Sequence, residues 1–400
     1  MLAKCRRRPY SPDCPGPHHR YLVPQPNLEL NMSYPLPNAD LKSLGFASKP
    51  LENLDALIRG HIEVGRYSGA QIALARHGQL ALFRTYGEAR TGRTAADDTL
   101  WLLFSQTKVL CMAGLWALVE EGKLSFMDKV SDHLPEFATR GKGDITIHQV
   151  ATHQAGFPSA HLERDAWLDH AKMRAQVCDF SLEWTPGSRM AYHGRSAHPT
   201  LAMVMEAVTG EDFRDIIHTR VLGPLGLNDD VRVGVPVEQH DRCADMYYSK
   251  GSEMPYDNSA DLRSAGLPHG GGFATARGMA AFYQMLLGKG RLGDARIFSP
   301  RLVEYVSRNH TGELGDGTMG GIAMHRGLGP HVRGTSDRTR GLGTNAHPDT
   351  FGHGGAGTSY SWADPSSGVS FTYLTNNVVP DPFHSARLDR VSNLVHASID

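Results

Sequence analysis

Apolar residues recur at helical spacing from Leu51 onward, with Leu51, Leu54, Leu57, Ile58 and Ile62 on one face, and predict a first helix. Residues 71–76 (QIALAR) and 80–86 (LALFRTY) then switch to short apolar runs joined at His77-Gly78-Gln79, the pattern of an antiparallel strand pair. The same style returns near the C-terminus, where SYSWA (359–363) and GVSFTYLTN (368–376) flank Asp-Pro-Ser-Ser, and residues 385–398 read as a closing amphipathic helix. Between the two ends the period is mostly helical, over 106–121, 147–153, 198–208, 212–220, 276–287 and 299–307. Loops rich in glycine and proline, such as Glu183-Trp-Thr-Pro-Gly-Ser188, separate these segments. Strands at both ends and a strand-poor middle predict an α+β fold: an antiparallel sheet built from the two chain ends, flanked by helices, with a mostly helical region inserted. The expected division is 49–138 and 262–400 for the α/β region and 139–261 for the helical region, with a cleft between them as the default site.

Upstream of residue 49 the pattern disappears. Nine of the 23 prolines fall in residues 1–50, six of them between Pro9 and Pro26, which forbids a regular helix and disfavours paired strand. Residues 1–48 therefore read as a proline-rich extension, and its cluster Lys4, Arg6, Arg7, Arg8 as a solvated, mobile terminus. Across the chain 41 Lys+Arg meet 42 Asp+Glu, so no broad charge footprint calls for nucleic acid or an anionic membrane as partner. The five cysteines, Cys5, Cys14, Cys111, Cys178 and Cys243, show neither CxxC spacing nor an even count, and predict packing residues in a reduced, cytoplasmic chain. No apolar run reaches the ~18 residues of a membrane span.

Candidate chemistry begins at Ser105-Gln-Thr-Lys108, at the start of the 106–121 helix and the only SxxK in the sequence. Residues i and i+3 lie one above the other on a helix, with Cβ atoms ~5–6 Å apart, so the lysine can reach the hydroxyl. Backbone N–H groups at a helix start also favour a developing oxyanion. A serine there is ordinarily an N-cap, yet this one precedes an apolar run (Val109, Leu110, Met112, Ala113, Leu115, Leu118) that buries the helix and the lysine with it.

Two further segments complete a pattern: Pro186-Gly-Ser-Arg-Met-Ala-Tyr192-His-Gly194 and Gly352-His353-Gly354-Gly355-Ala356-Gly357. With Ser105-Gln-Thr-Lys108 they resemble the three ordered motifs (SxxK, YxN or YSx, KTG or HxG) of the serine β-lactamase and penicillin-binding-protein-like superfamily, in its class C-like branch with the family VIII carboxylesterases. The separations of 87 and 161 residues between Ser105, Tyr192 and His353 are similar to that branch, as are connecting segments such as ITIHQVATHQAG and GGFATARGMAAFYQMLLGKG. The resemblance implies that fold, with Ser105 as nucleophile, Lys108 and Tyr192 handling its proton, and the Ser105 and Ala356 N–H groups as an oxyanion hole. It also implies that His353, Gly354 and Gly355 lie beside the substrate. Either Tyr192, ionised by the adjacent Lys108 ammonium, is the base, or a neutral Lys108 is the base and Tyr192 relays the proton.

The departures carry substrate information. Gly194 replaces the Asn whose amide holds acylamide substrates, and His353 replaces a Lys, leaving a donor without permanent charge. The expected activity is thus a carboxylesterase acting on small or medium neutral esters through a Ser105 acyl-enzyme. The alternatives are an acyltransferase, a β-lactamase or D-peptidase-type amide hydrolase using the same residues, or a non-catalytic member of the fold. No cofactor or metal is expected: there is no HExxH, and His161, Glu163, Asp165 and His170 lack ligand spacing. Pro268-His269-Gly270-Gly271-Gly272 imitates a lipase oxyanion segment, but no GxSxG elbow accompanies it and Thr275 reads as the cap of the next helix. The glycines of 314–343 predict a mobile loop near the site, and Trp184, Tyr247, Tyr248 and Tyr360 are candidate pocket walls.

Overall fold

In the computed structural model, which describes residues 35–248, 251–336, 338 and 340–400, the first apolar run forms β1 (Gly69–Arg76). It reverses through His77 and Gly78, both at positive φ (52° and 74°), into β2 (Gln79–Arg90), the primed-turn geometry that matches strand twist. The free edge of β1 takes β7 (Val369–Thr375) from the other end of the chain, with Ala70 opposite Thr375 and Arg76 opposite Val369. From edge to edge the sheet runs β3 (Arg93–Thr94), β2, β1, β7, β6 (Tyr360–Asp364), β5 (Phe351–Gly354) and β4 (His331–Val332), every neighbouring pair antiparallel.

Strand alternation divides the core. Ile72, Leu74, Trp362, Phe371 and Tyr373 point to one face and pack with Leu51, Leu54 and Ile58 of α1 (Ser48–Glu63) and with Val391 and Val395 of α4 (Phe383–His396). Ala73, Ala75 and Leu374 point to the other and join the larger core with α2 (Thr107–Glu120) and α3 (Ala276–Leu287). The small alanines on that face let α3 lie close along β1 and β7. Each fully buried Leu or Ile contributes ~1.5–3 kcal/mol of transfer free energy. Helix α2 is buried from Thr107 to Leu118, in keeping with an apolar sequence that shows no polar face.

The expected helices form at Ile147–Ala151, Ala197–Thr209, Phe213–Ile217 and Pro300–Ser307, besides α2 and α3. Three α-helices among the described residues were not anticipated: His170–Asp179, Ala260–Ala265 and the single turn Val130–His133. The first buries only Met173, Val177 and Cys178, too few apolar residues to set a period, and its start is set by Asp169, whose carboxylate accepts the Lys172 N–H. The inserted region is also stitched to the sheet-bearing part: Val231–Val233 pairs with Gly272–Ala274, which pairs in turn with Trp101–Leu102.

One expected boundary moves. The compact unit spans residues 34–400, and Leu36, Leu44 and Phe46, assigned above to the extension, are buried. Asn38 bridges to Leu80 and Phe46 to Ile399. Prolines rule out regular elements there but not burial of single side chains from an extended backbone. Residues 1–34, with Cys5, Cys14 and the basic cluster, lie outside the described residues; Cys111, Cys178 and Cys243 are buried free thiols. No helix among the described residues is long and apolar enough to cross a membrane.

Candidate active site

Ser105 sits in a single 3-10 turn, Phe104–Gln106, that runs directly into α2. No side chain caps either start, so the Ser105 hydroxyl is not spent as an N-cap. It pairs instead with Lys108 Nζ at 3.0 Å, one turn along, as the i, i+3 spacing requires. Phe104, immediately before, is held at φ 45°, a left-handed conformation costing ~1–3 kcal/mol in a residue with a side chain. Lys108 is fully buried and also donates to the His269 carbonyl at 2.6 Å. Burial pushes its ammonium below the ordinary lysine value, against the opposing pull of Tyr192. The Pro268–Gly272 segment thus acquires a use the sequence did not reveal, orienting Lys108 through a main-chain oxygen; Thr275 caps α3 as expected.

Tyr192 is placed by its backbone. The Ala191 N–H donates to the His153 carbonyl (3.2 Å), the Tyr192 N–H to Asp316 Oδ1 (3.2 Å) and the His193 N–H to His153 Nδ1 (3.1 Å). Asp316 is itself locked by Arg326 Nη2 at 2.6 Å, an ion pair buried on both sides. The Arg326 guanidinium lies 4.7 Å from the centre of the Tyr192 ring and the Lys108 ammonium 5.3 Å, both in cation–π range. The Tyr192 hydroxyl has no hydrogen-bond partner among the described residues. Around the ring stand His153, His331 and His353, with centroids 4.9, 6.4 and 6.4 Å away. Burial above all, with neighbouring cations and, for His331, the adjacent His353 adding to it, holds all three far below the usual histidine range, so this shell is neutral.

The third motif ends β5. A Cβ at Gly355 would lie 2.8 Å from the Leu103 carbonyl oxygen, so only glycine lets the strand end close onto the backbone ahead of Ser105. The Ala356 N–H has no backbone acceptor among the described residues, and the Ser105 N–H belongs to a first turn, where amides lack an intrahelical acceptor. Ser105, Tyr192, His353, Gly354, Gly355 and Ala356 line one cavity of about 580 Å³, with Lys108 bonded to Ser105 at its wall. One expectation is corrected here. His353 Nδ1 donates to the Gly354 carbonyl at 2.9 Å, which leaves Nε2 an acceptor instead of the donor inferred from sequence.

Other cavity residues were not singled out: Arg326, His331, Arg338 and Arg340 reach the cavity from the glycine-rich 314–343 stretch, which was recognised only as a loop near the site. Their signal was present in retrospect, as cations embedded among glycines. Of the suggested walls Tyr360 lines the cavity, whereas Trp184, Tyr247 and Tyr248 do not. Of the residues weighed as metal ligands, His170 gathers with Glu206 and Asp212, but Glu206 already binds His170 and the Phe213 N–H, and both Asp212 oxygens bind Arg214.

The beta-lactamase family model matches residues 54–395. The chain is 24% identical over 350 residues to the esterase/beta-lactamase LipL of Mycobacterium tuberculosis, covering 78% of each. It is also 24% identical over 398 residues to an Escherichia coli protein whose name assigns it, provisionally, to the D-alanyl-D-alanine carboxypeptidases, covering 87% of this chain and 88% of that one. A solved family VIII carboxylesterase superposes with a TM-score of 0.75 at 26% identity, over 87% of this chain and 98% of its own. A family match over most of the chain, on a sheet built from both chain ends, makes this protein a member of the beta-lactamase family and a serine hydrolase of the β-lactamase and penicillin-binding-protein fold.

Proposed function

We propose that the protein is a carboxylesterase that cleaves small or medium esters through an acyl-enzyme on Ser105. The observation that carries this reading is the 3.0 Å contact between Ser105 Oγ and buried Lys108 Nζ, made at the wall of the cavity that Tyr192 and His353–Ala356 line. Burial favours the neutral amine, and with one N–H on the His269 carbonyl the Lys108 lone pair is free for the serine proton. Lys108 takes that proton as the bond from Oγ to the carbonyl carbon forms, and the carbonyl electron pair moves onto oxygen beside the Ser105 and Ala356 N–H groups. Collapse breaks the bond to the alkoxy group, which leaves as alcohol after receiving the proton from Lys108, directly or through the unpartnered Tyr192 hydroxyl. Water then attacks the acyl-enzyme by the same proton route, releasing the acid and restoring Ser105.

Esters are favoured over β-lactams because Gly194 provides no side-chain amide and His353 no permanent charge, and because one solved relative is named a family VIII carboxylesterase, whereas the name of the M. tuberculosis relative covers both activities. The E. coli relative's name supports a second reading, hydrolysis of a D-residue peptide at the same serine. In the test, Ser105→Ala is assayed on a short-chain chromogenic ester while wild type is treated with a fluorophosphonate probe. Stoichiometric labelling of Ser105 and a loss of at least about a thousandfold in turnover are expected. Full activity in Ser105→Ala would sink the proposal, and ester turnover slower than release of D-alanine from a dipeptide would transfer it to the second reading.

A further inference from the structure

The turn after β5 carries the Ala356 N–H, and its own hydrogen bonds hold it only at the base. There the Gly355 N–H donates to the Ser359 carbonyl at 2.8 Å and, at a long 3.3 Å, the Thr358 N–H donates to the Gly355 carbonyl. Ala356 and Gly357 form the tip. Gly357 has φ 66°, and a Cβ there would stand 2.7 Å from Val378 Cγ1, so glycine is needed both for the backbone and for the contact with residues 378–379.

Behind the tip lies Arg387 of α4, only 1% exposed. Its Nη2 donates to the Gly357 carbonyl at 2.9 Å and to the Thr358 carbonyl at 2.5 Å, with longer contacts to His384 Nδ1 (3.3 Å) and Thr375 Oγ1 (3.5 Å). Successive carbonyls of an extended strand point to opposite sides, so two that converge on one nitrogen fix the rotation of the peptide between them. The guanidinium is steadied in turn by the Tyr67 and Tyr373 rings, whose centres lie 5.2 and 5.8 Å from its carbon. Burying a guanidinium is costly unless it is hydrogen-bonded, and the two shortest bonds of this one go to main chain one and two residues past Ala356.

We propose that Arg387 is a positioning residue for the oxyanion hole: by gripping the Gly357 and Thr358 carbonyls it fixes the turn and aims the Ala356 N–H at the oxygen that becomes negative when Ser105 attacks. This rests on Ser105 being acylated and on the Ala356 N–H being an oxyanion donor. That donor does most when charge has developed on the oxygen, so a loss of aim lowers kcat and leaves KM nearly alone. Arg387→Met removes both bonds with an unbranched apolar side chain. Each carbonyl keeps one donor, the Val379 N–H on Gly357 (2.8 Å) and Thr375 Oγ1 on Thr358 (3.0 Å), so the variant is expected to fold.

Wild type and variants, checked for folding by melting curves and counted by fluorophosphonate labelling, are compared on a short-chain ester and on its thionoester, whose sulfur is a weak acceptor. Wild type should prefer the ester by about a hundredfold or more in kcat/KM, the effect of one oxyanion donor. Arg387→Met should lose about tenfold or more in kcat on the ester with KM within about threefold, and its ester preference should narrow by a similar factor. Arg387→Lys, which keeps the charge and a donor, should restore part of both; a general loosening of the fold would slow both substrates alike and leave the preference unchanged. Arg387→Gln stands in if the methionine variant does not fold. A folded, labelled variant with wild-type kcat or wild-type ester preference overturns the Arg387 assignment and leaves the esterase reading standing, and so does failure of both the methionine and glutamine variants to fold, which would make Arg387 a folding residue. A labelled wild type without ester preference overturns the Ala356 donor and Arg387 with it, whereas a wild type that is neither labelled at Ser105 nor active on the ester overturns the esterase reading itself.

Discussion

Replacing Asp316 with asparagine tests how Tyr192 is held in place. The Arg326–Asp316 pair is 2.6 Å apart with side-chain exposures of 4% and 0%, so solvent screens it little. Two unit charges ~4 Å apart at an effective dielectric of about 20 attract by ~4 kcal/mol, and removing one member of a buried pair costs ~3–5 kcal/mol because the other stays charged and unpaired. Asparagine keeps an Oδ1 acceptor for the Tyr192 N–H (3.2 Å) and the Thr318 N–H (2.9 Å), so the change isolates the charge from the hydrogen bonds. The expected result in urea unfolding is a loss of ~3–5 kcal/mol, with a lower kcat because the 190–193 segment loosens around Tyr192. The double variant Asp316→Asn/Arg326→Met removes both charges and should recover most of the stability, giving a coupling above ~2 kcal/mol in the cycle. A single variant within ~1 kcal/mol of wild type, or strictly additive effects, would refute the reasoning. The pH dependence has a definite sign. Burial raises the Asp316 carboxyl, but Arg326 and Thr318 hold it below its usual value, so its stabilisation is present above its unfolded pKa of ~3.9 and is lost as pH falls through the folded value.

Two further outcomes are expected. Lys108→Met should leave the melting temperature equal or raised, since it removes a desolvated amine, while single-turnover ester cleavage falls by about 10²–10⁴; more than a tenth of wild-type activity would remove Lys108 from the role of base. The buried histidines should make the fold acid-labile: burial holds His193 at about 4 and His269 at about 3, so each is neutral in the folded protein at pHs where the unfolded chain is already protonated. For each such group stability is unaffected above the unfolded pKa of ~6.5 and falls by up to ~1.4 kcal/mol per pH unit below it, until the folded pKa is reached. Melting curves from pH 7.5 to 5 check this, and a flat melting temperature across that range would contradict it.

Local signals carried far in this chain. The short apolar runs in 71–76 and 368–376, the helical period from Leu51 and the apolar run after Ser105 each state a burial pattern, and each element formed where its pattern lay. The polar helix His170–Asp179 was illegible because it buries three side chains and is started by a cap rather than a period. Leu36 and Phe46 were hidden because burial from an irregular, proline-rich segment has no period to read.

By itself the sequence determined the elements, the pairing of the two chain ends into one sheet, and the Ser105–Lys108 contact, because a spacing of three on a helix dictates which side chains meet. Only the tertiary structure decided what surrounds that pair. The His269 carbonyl on Lys108, the Asp316–Arg326 clasp behind Tyr192 and the Nδ1-protonated His353 come from segments 124 to 164 residues beyond Ser105 or Tyr192, or turn on a neighbour's carbonyl. Charge and hydrogen bonding act through space over a few ångströms, and a chain records neighbours in space only where a regular element has already fixed the distance between them.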